Sequence, residues 1–340
     1  MSLTEKYTTL FEKISIQLEL GPILTEPTAL SGGLLHKMFR LQTTSGTYAI
    51  KLLNPSILSR PEARQNFIDS ERIATALQHE VSALPALSFH GSALQHIETH
   101  YYLVFRWVDA VMLTTHQITA DHAAQIGKQL AYIHSADLSS LQIQQPPESS
   151  ESGVSWDEFV EHIRLQGLTA LDPVTRNLRQ IKRWADASSA AMKQLTGTAF
   201  LSHRDLDAKN VLWKSGLPVL IDWESAGYIH PMHDFVETAL YWSLDENNRL
   251  QYPHFEAFIK GYVSTGAKLH FPLEPALSAG YAGKLGWLAY SLAKALRLEP
   301  VNEQEQQVAV QQVLETLTAL KDYEALCPLI EKWWIELTRD

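Results

Sequence analysis

The chain has 340 residues, a net charge of −10, 45% hydrophobic and 19% charged residues, and one cysteine. That length allows one large or two ordinary domains with a sizeable core, and the composition is that of a soluble globular protein. The acidic balance, without an evident basic patch, argues against a nucleic-acid partner, and the lone Cys327 excludes an intrachain disulfide and suits a reducing compartment. No apolar run approaches the roughly 18–20 residues of a membrane-spanning helix. The start, Met1-Ser-Leu-Thr-Glu-Lys6, lacks the basic and then apolar layout of a secretory signal. A cytoplasmic protein without a membrane partner is the expectation. The negative charge suits a cationic small-molecule substrate, although solubility explains it equally well. Oligomeric state is not legible.

Helical apolar spacing (Tyr7, Leu10, Phe11, Ile14, Leu18) predicts a helix over residues 4–18, stopped by Gly21-Pro22. Two β-compatible runs follow at 34–43 and 47–53, joined by a Thr44-Ser-Gly46 turn. Ahead of them, Ser31, Gly32 and Gly33 form a short glycine loop whose backbone N–H groups can face phosphates. Lys51 sits mid-strand in Tyr48-Ala-Ile-Lys-Leu-Leu53, among apolar neighbours. A cation there needs an anionic partner, because burying it unpaired is costly. The next predicted helix, 62–80, carries Glu71 on the face of Phe67, Ile68 and Ala74, an equally awkward inward charge. The two are expected to pair; the alternative is a snorkelling lysine and a solvated glutamate.

Residues 86–90 and 101–106 read as further strands. Beyond Asp109 the chain is mainly helical, with predicted helices at 119–134, 156–167, 173–195, 231–244, 252–265, 275–298, 303–322 and 323–337. Residues 145–153 are the one low-complexity stretch, expected to be an exposed loop.

The most informative segment is 201–224. Val211-Leu-Trp213 and 217–221 are short apolar runs around the turn Lys214-Ser-Gly216. As a hairpin they bring Asn210 and Asp222 to one open end, since cross-strand Cα atoms lie about 4.5–5.5 Å apart. A carboxamide and a carboxylate so placed can share a hard cation, and Mg²⁺ takes such oxygen ligands together with substrate phosphates. Asp205, on the loop feeding the first strand, is placed to act as general base. The hairpin reads as a phosphoryl-transfer site.

Residues 203–210, His-Arg-Asp-Leu-Asp-Ala-Lys-Asn, followed by Asp222 on the next strand, resemble the catalytic segment of the protein-kinase-like superfamily. Ile221-Asp-Trp223 is similar to the aminoglycoside phosphotransferase and choline kinase branch, where protein kinases have Asp-Phe-Gly. The resemblance implies an α+β, two-lobed kinase-like fold, with a small antiparallel-sheet lobe at residues 1–109 and a larger, mainly helical lobe at 110–340. It implies ATP and Mg²⁺ as cofactors, Asp205 as catalytic base, and Asn210 and Asp222 as metal ligands. Lys51, braced by Glu71, would hold the α and β phosphates, and Phe105, Arg106 and Val108 would line the adenine pocket. His203 and Arg204 would brace the loop. Arg204 and Asp207 depart from that branch's usual pattern, and Asp234 matches a bracing Asp found soon after its metal ligand.

Acceptor recognition is expected from aromatics and carboxylates after Asp222, with Glu224, Glu237, Tyr241, Trp242 and Trp287 as candidates for holding an amine. An aminoglycoside-type antibiotic or amino alcohol is the expected acceptor, and a homoserine- or sugar-type kinase the alternative. A protein kinase fits less well, because no Ala-Pro-Glu tripeptide follows Asp222. A pseudokinase scaffold would predict loss of a catalytic residue, and all are present.

Overall fold

The computed structural model describes residues 7–30, 36–145, 154–195, 197–269 and 272–339. Their contacts fall into two compact units, one made of Met1–Ile118, Gln129–Gln144 and Leu201–Gly227, the other of Thr119–Lys128, Gln145–Phe200 and Tyr228–Asp340.

The first unit is built on an antiparallel five-stranded sheet, β1 (Thr28–Leu30), β2 (Lys37–Thr43), β3 (Gly46–Leu52), β4 (Gln95–Ile97) and β5 (His100–Arg106), in the order β1-β2-β3-β5-β4. Strand alternation splits its side chains cleanly. Phe39, Leu41, Ile50, Tyr102 and Val104 face α1 (Thr8–Gln17), whose Phe11 and Ile14 are fully buried against them. Leu103 and Phe105 point the other way, into a cluster with Leu53, Leu58 and Phe67. Each such side chain contributes about 1.5–3 kcal/mol of burial. Lys51, one residue out of phase with Ile50 and opposite Leu103 in the register, is committed to the Phe105 face. Helix α2 (Pro55–Leu58) and α3 (Ala63–Leu77) follow β3.

The predicted strand at 86–90 does not form as such. Leu87 N–H bonds to the Val104 carbonyl, while Phe89 and Ser92 close a turn that leads into β4. Gly91, at φ +81°, makes that turn, and its left-handed backbone ends extended pairing before a strand can establish.

The same unit includes β6 (Val111–Met112), β7 (Phe200–Ser202), which crosses the unit boundary at its first residue, and the hairpin β8 (Val211–Lys214) and β9 (Leu217–Leu220). Ser215 and Gly216 both have positive φ, +52° and +80°, the tight turn that matches strand twist. β6 pairs with β8, and Leu220 bonds to Ser82 and Leu84 just beyond α3.

The second unit is helical: the first part of α4 (Ala120–Ser135), then α5 (Trp156–Gln166), α6 (Asp172–Arg176), α7 (Leu178–Gln194), α8 (Pro231–Tyr241), α9 (Tyr252–Val263), α10 (Leu273–Ala279), α11 (Tyr281–Ala295) and α12 (Glu303–Leu337). Three boundaries differ from expectation. The run 173–195 breaks at Asn177, whose side chain donates to the Pro173 carbonyl at 2.7 Å and so competes with helix continuation. The run 275–298 breaks at Gly280, where Tyr323 donates at 2.6 Å to the freed Leu277 carbonyl. The two helices predicted beyond 303 are one, which tolerates Pro328 in its interior. Among the described residues, no helix is long and apolar enough to cross a membrane.

Helix α9 and the Ala120–Ser135 helix approach without side chains between them: a Cβ on Gly261 would lie 2.0 Å from the Ala124 carbonyl oxygen. Gly261→Ala is expected to cost about 1–3 kcal/mol in urea unfolding, since backbone must move. Gly286→Ala in α11 meets nothing within 4 Å and is expected to gain up to about 1 kcal/mol from helix propensity. Equal effects of the two substitutions would contradict the close helix crossing.

Candidate active site

Segment 202–224 lies wholly within the first unit, together with Lys51, Glu71 and His36. His203 is fully buried. Its Nε2 lies 2.9 Å from the Ile221 carbonyl, and its ring packs 4.6 Å from that of Trp223. It thereby ties the loop after β7 to the end of β9. Arg204 then adopts φ +66°, an unfavourable conformation for a non-glycine residue, and turns the backbone so that Asp205 faces Asn210.

Asn210 is buried, and its Nδ2 donates to the Asp205 carbonyl at 2.7 Å and to Asp205 Oδ2 at 2.9 Å. Holding the amide nitrogen this way leaves Oδ1 as the group available to a cation. Asp207 caps the turn that delivers Asn210, accepting from Lys209 N at 3.3 Å. Burial pushes the Asp207 carboxyl up, against the pull of the Lys209 charge. Lys209 Nζ lies 3.4 Å from Asp205 Oδ2, so this cation, 60% exposed, flanks the proposed base.

The hairpin register is as the spacing suggested. Val211 pairs with Leu220, and Ile221 N–H bonds to the Asn210 carbonyl at 2.9 Å, which brings Asp222 one residue past Asn210. Asp222 takes a left-handed backbone, φ +61° and ψ +59°. No three His, Cys, Asp or Glu side chains converge on a metal position among the described residues. Asp222 and Asn210 supply two oxygens, which fits an Mg²⁺ ion that completes its shell with waters and phosphates.

The lysine differs from expectation. Lys51 Nζ donates to Asp222 Oδ1 at 2.7 Å and to Glu224 Oε2, and makes no ion pair with Glu71. Burial acts to lower the Lys51 pKa, but the two carboxylates outweigh it and raise it. Glu71 is as inward as its helical face predicted, 3% exposed, yet it accepts the Ala86 backbone N–H at 2.6 Å. Burial pushes its carboxyl up to about 7, with the Ala86 bond and the Lys51 charge pulling the other way. The physical reason for the exchange is supply: with Asp222 and Glu224 both within reach, the ammonium is already satisfied. Glu224, a candidate for acceptor recognition, is engaged instead with Lys51 and His36. Burial raises its carboxyl pKa, but His36 and Lys51 overcome this and hold it at about 2.

Phe105 is buried in the cluster beside Lys51's face, Arg106 is exposed at the end of β5, and Val108 is half-buried beyond it. Ser31, Gly32 and Gly33 lie outside the described residues. In the helical unit, Trp242 is fully buried and is core, not pocket lining, because it follows α8 where that helix packs inward. Glu237 and Tyr241 are half-buried on α8, with Glu237 Oε1 3.5 Å from His233 Nε2. Trp287 is half-buried on α11 against Tyr290, ring centroids 5.2 Å apart. Asp234 is buried in the first turn of α8. His36, which sequence reasoning passed over, contacts Glu224 directly. Only its place just after the glycine loop could have drawn attention to it.

A sheet-borne lysine held by carboxylates from a hairpin that also gathers Asp205 and Asn210 defines the kinase-like class of small-molecule phosphotransferases. The chain belongs to the APH phosphotransferase enzyme family, whose model matches residues 26–267. Solved structures share the fold at low identity. Spectinomycin phosphotransferase APH(9)-Ia, in complex with ADP and spectinomycin, superposes with a TM-score of 0.68 at 17% identity, covering 92% of this chain and 98% of that one. Amicoumacin kinase hAmiN, in complex with AMP-PNP and Ca²⁺, gives 0.60 at 13%, covering 92% and 93%. Plasmodium vivax ethanolamine kinase gives 0.57 at 15%, covering 88% and 83%. No curated protein matches significantly by sequence.

Glu71 generates a pH prediction. Its folded pKa of about 7 exceeds the ordinary 4.5, so the folded state is penalised as pH rises through that window. The penalty reaches about 3 kcal/mol above pH 7 at 1.36 kcal/mol per unit. Relative to wild type, Glu71→Gln is therefore expected to gain stability progressively from pH 4.5 to 7.5 in urea titrations. Parallel curves for the two proteins would contradict a carboxyl raised by burial.

Proposed function

We propose that the protein transfers the γ-phosphate of ATP to a hydroxyl of a small molecule. The observation that carries this is the convergence, within one unit, of Lys51 on Asp222 and of Asn210 on Asp205. Lys51 would hold the α and β phosphates, with Glu71 buried behind it. Asn210 Oδ1 and Asp222 would hold Mg²⁺, whose chemistry is to neutralise phosphate charge. Phosphoryl transfer requires mostly positioning and electrostatic stabilisation, so Asp205 need only orient the acceptor hydroxyl and take its proton. Lys209, beside Asp205, places a positive charge where the developing phosphate charge lies in this reading.

For the acceptor, an amino alcohol or aminoglycoside-type antibiotic is supported by the company the fold keeps: spectinomycin phosphotransferase and ethanolamine kinase. Glu237, Tyr241 and Trp287 stay in the reading as acceptor-recognition residues, with Glu237 as the anion for an ammonium group. Glu237 already has the Lys284 charge and His233 Nε2 near it, so an acceptor amine would compete with them. A homoserine- or sugar-type acceptor is the second reading, favoured by nothing specific in the helical unit.

ATP consumption by the purified protein against aminoglycosides, spectinomycin, macrolides, choline, ethanolamine and sugars tests this. Turnover with one acceptor is expected, falling about 10²–10⁴-fold in Asp205→Asn with ATP affinity retained. Tight ATP binding without turnover on any acceptor would favour a scaffold instead. Phosphate on a protein Ser or Thr would sink the small-molecule reading.

A further inference from the structure

His36 joins the lysine–carboxylate cluster through Glu224. Its ring is 7% exposed and contacts three elements. Nδ1 accepts the backbone N–H of Asn54, just past β3, at 3.0 Å. An accepting Nδ1 places the ring proton on Nε2, which lies 3.2 Å from Glu224 Oε2. Phe67 of α3 closes the third side, edge to face at 5.6 Å and 73°. Glu224 Oε2 thus receives two donors, His36 Nε2 and Lys51 Nζ.

A carboxylate two residues past a metal-binding position poses a problem for the reaction proposed above. Lys51 is the counter-charge of Glu224 in the protein alone, and the same ammonium is needed by phosphate oxygens. Once Lys51 turns partly to phosphate, Glu224 keeps a long, 23% exposed side chain with rotamers available to it. Swinging free, it would set a like charge beside the phosphates and draw Lys51 after it. A rigid donor removes that freedom.

We propose that His36 is a positioning residue for phosphoryl transfer: it pins Glu224, and through Glu224 the Lys51 ammonium, in the orientation that receives phosphate. The inference rests on the ATP reading. It assigns His36 no contact with substrate and no proton transfer.

Two partial isosteres separate this from a purely structural role. In His36→Asn the amide oxygen takes the place of Nδ1, keeping the Asn54 contact and losing the donor to Glu224. In His36→Gln the amide nitrogen takes the place of Nε2, keeping the donor and losing the acceptor. The readouts are MgATP affinity by titration calorimetry and the slow, acceptor-independent hydrolysis of ATP, both on the full chain, with thermal unfolding as control. His36→Asn is expected to bind MgATP about 10- to 100-fold more weakly at near-wild-type Tm, the size of one lost charge-assisted hydrogen bond. His36→Gln should recover most of the affinity. In a Glu224→Gln background, His36→Asn should add little, because the two act through one contact.

Unchanged MgATP affinity in His36→Asn would overturn the proposal. So would equal loss in His36→Gln, which would place the effect on the Asn54 contact, or full additivity with Glu224→Gln. Failure of the wild-type protein to bind MgATP at all would instead overturn the ATP reading, and this inference with it.

Discussion

One buried ammonium organises the first unit. Lys51 is held on the Phe105 face of the sheet by strand alternation alone, with 7% of its side chain exposed, and a charge so placed is tolerable only with partners. Those partners, Asp222 and Glu224, lie 171 and 173 residues further along the chain. Removing both would leave a charge in apolar surroundings, a strongly destabilising arrangement. The ion pair therefore holds the sheet and the hairpin in register as well as placing the lysine. Asp222 is more exposed than Lys51, 39% of its side chain, so the pair opens toward solvent on the side where oxygen ligands are wanted.

The hairpin carries its own strain. Arg204 and Asp222 both sit in the left-handed region, which costs a non-glycine residue about 1–3 kcal/mol. His203 offsets this on both sides, bonding to the Ile221 carbonyl and packing on Trp223, whose Nε1 donates to Leu220. Fixing those two residues aims the Asp205 and Asp222 side chains, and the Asn210 amide holds Asp205 in place. An arrangement held this rigidly before any ligand arrives suits phosphoryl transfer, where placement of charge is most of the chemistry.

Several features were legible because their signals are local. The Ser215-Gly216 turn, the apolar runs beside it and the spacing from Asp205 to Asp222 predict the hairpin register without knowledge of the rest. Amphipathic periodicity located the helices and turned Glu71 inward. Local signals fail where a competitor is distant in sequence. Glu71 and Lys51 each needed a partner, and pairing them was the economical reading. The fold supplied Asp222 and Glu224 to the lysine and a backbone N–H to the glutamate. Likewise, aromatic content alone could not tell Trp242, wholly core, from Trp287, half-buried on α11.

The sequence by itself determined the fold class, the β8–β9 hairpin and membership of its family, because each rests on short-range patterns: period, turn chemistry and motif spacing. Tertiary structure decided which charges meet. It paired Lys51 with the hairpin, left Glu71 on a peptide N–H with a carboxyl near neutrality, and brought His36 to Glu224. The energy of a buried charge depends on every group within a few ångströms, and that neighbourhood is not encoded in any single stretch of chain.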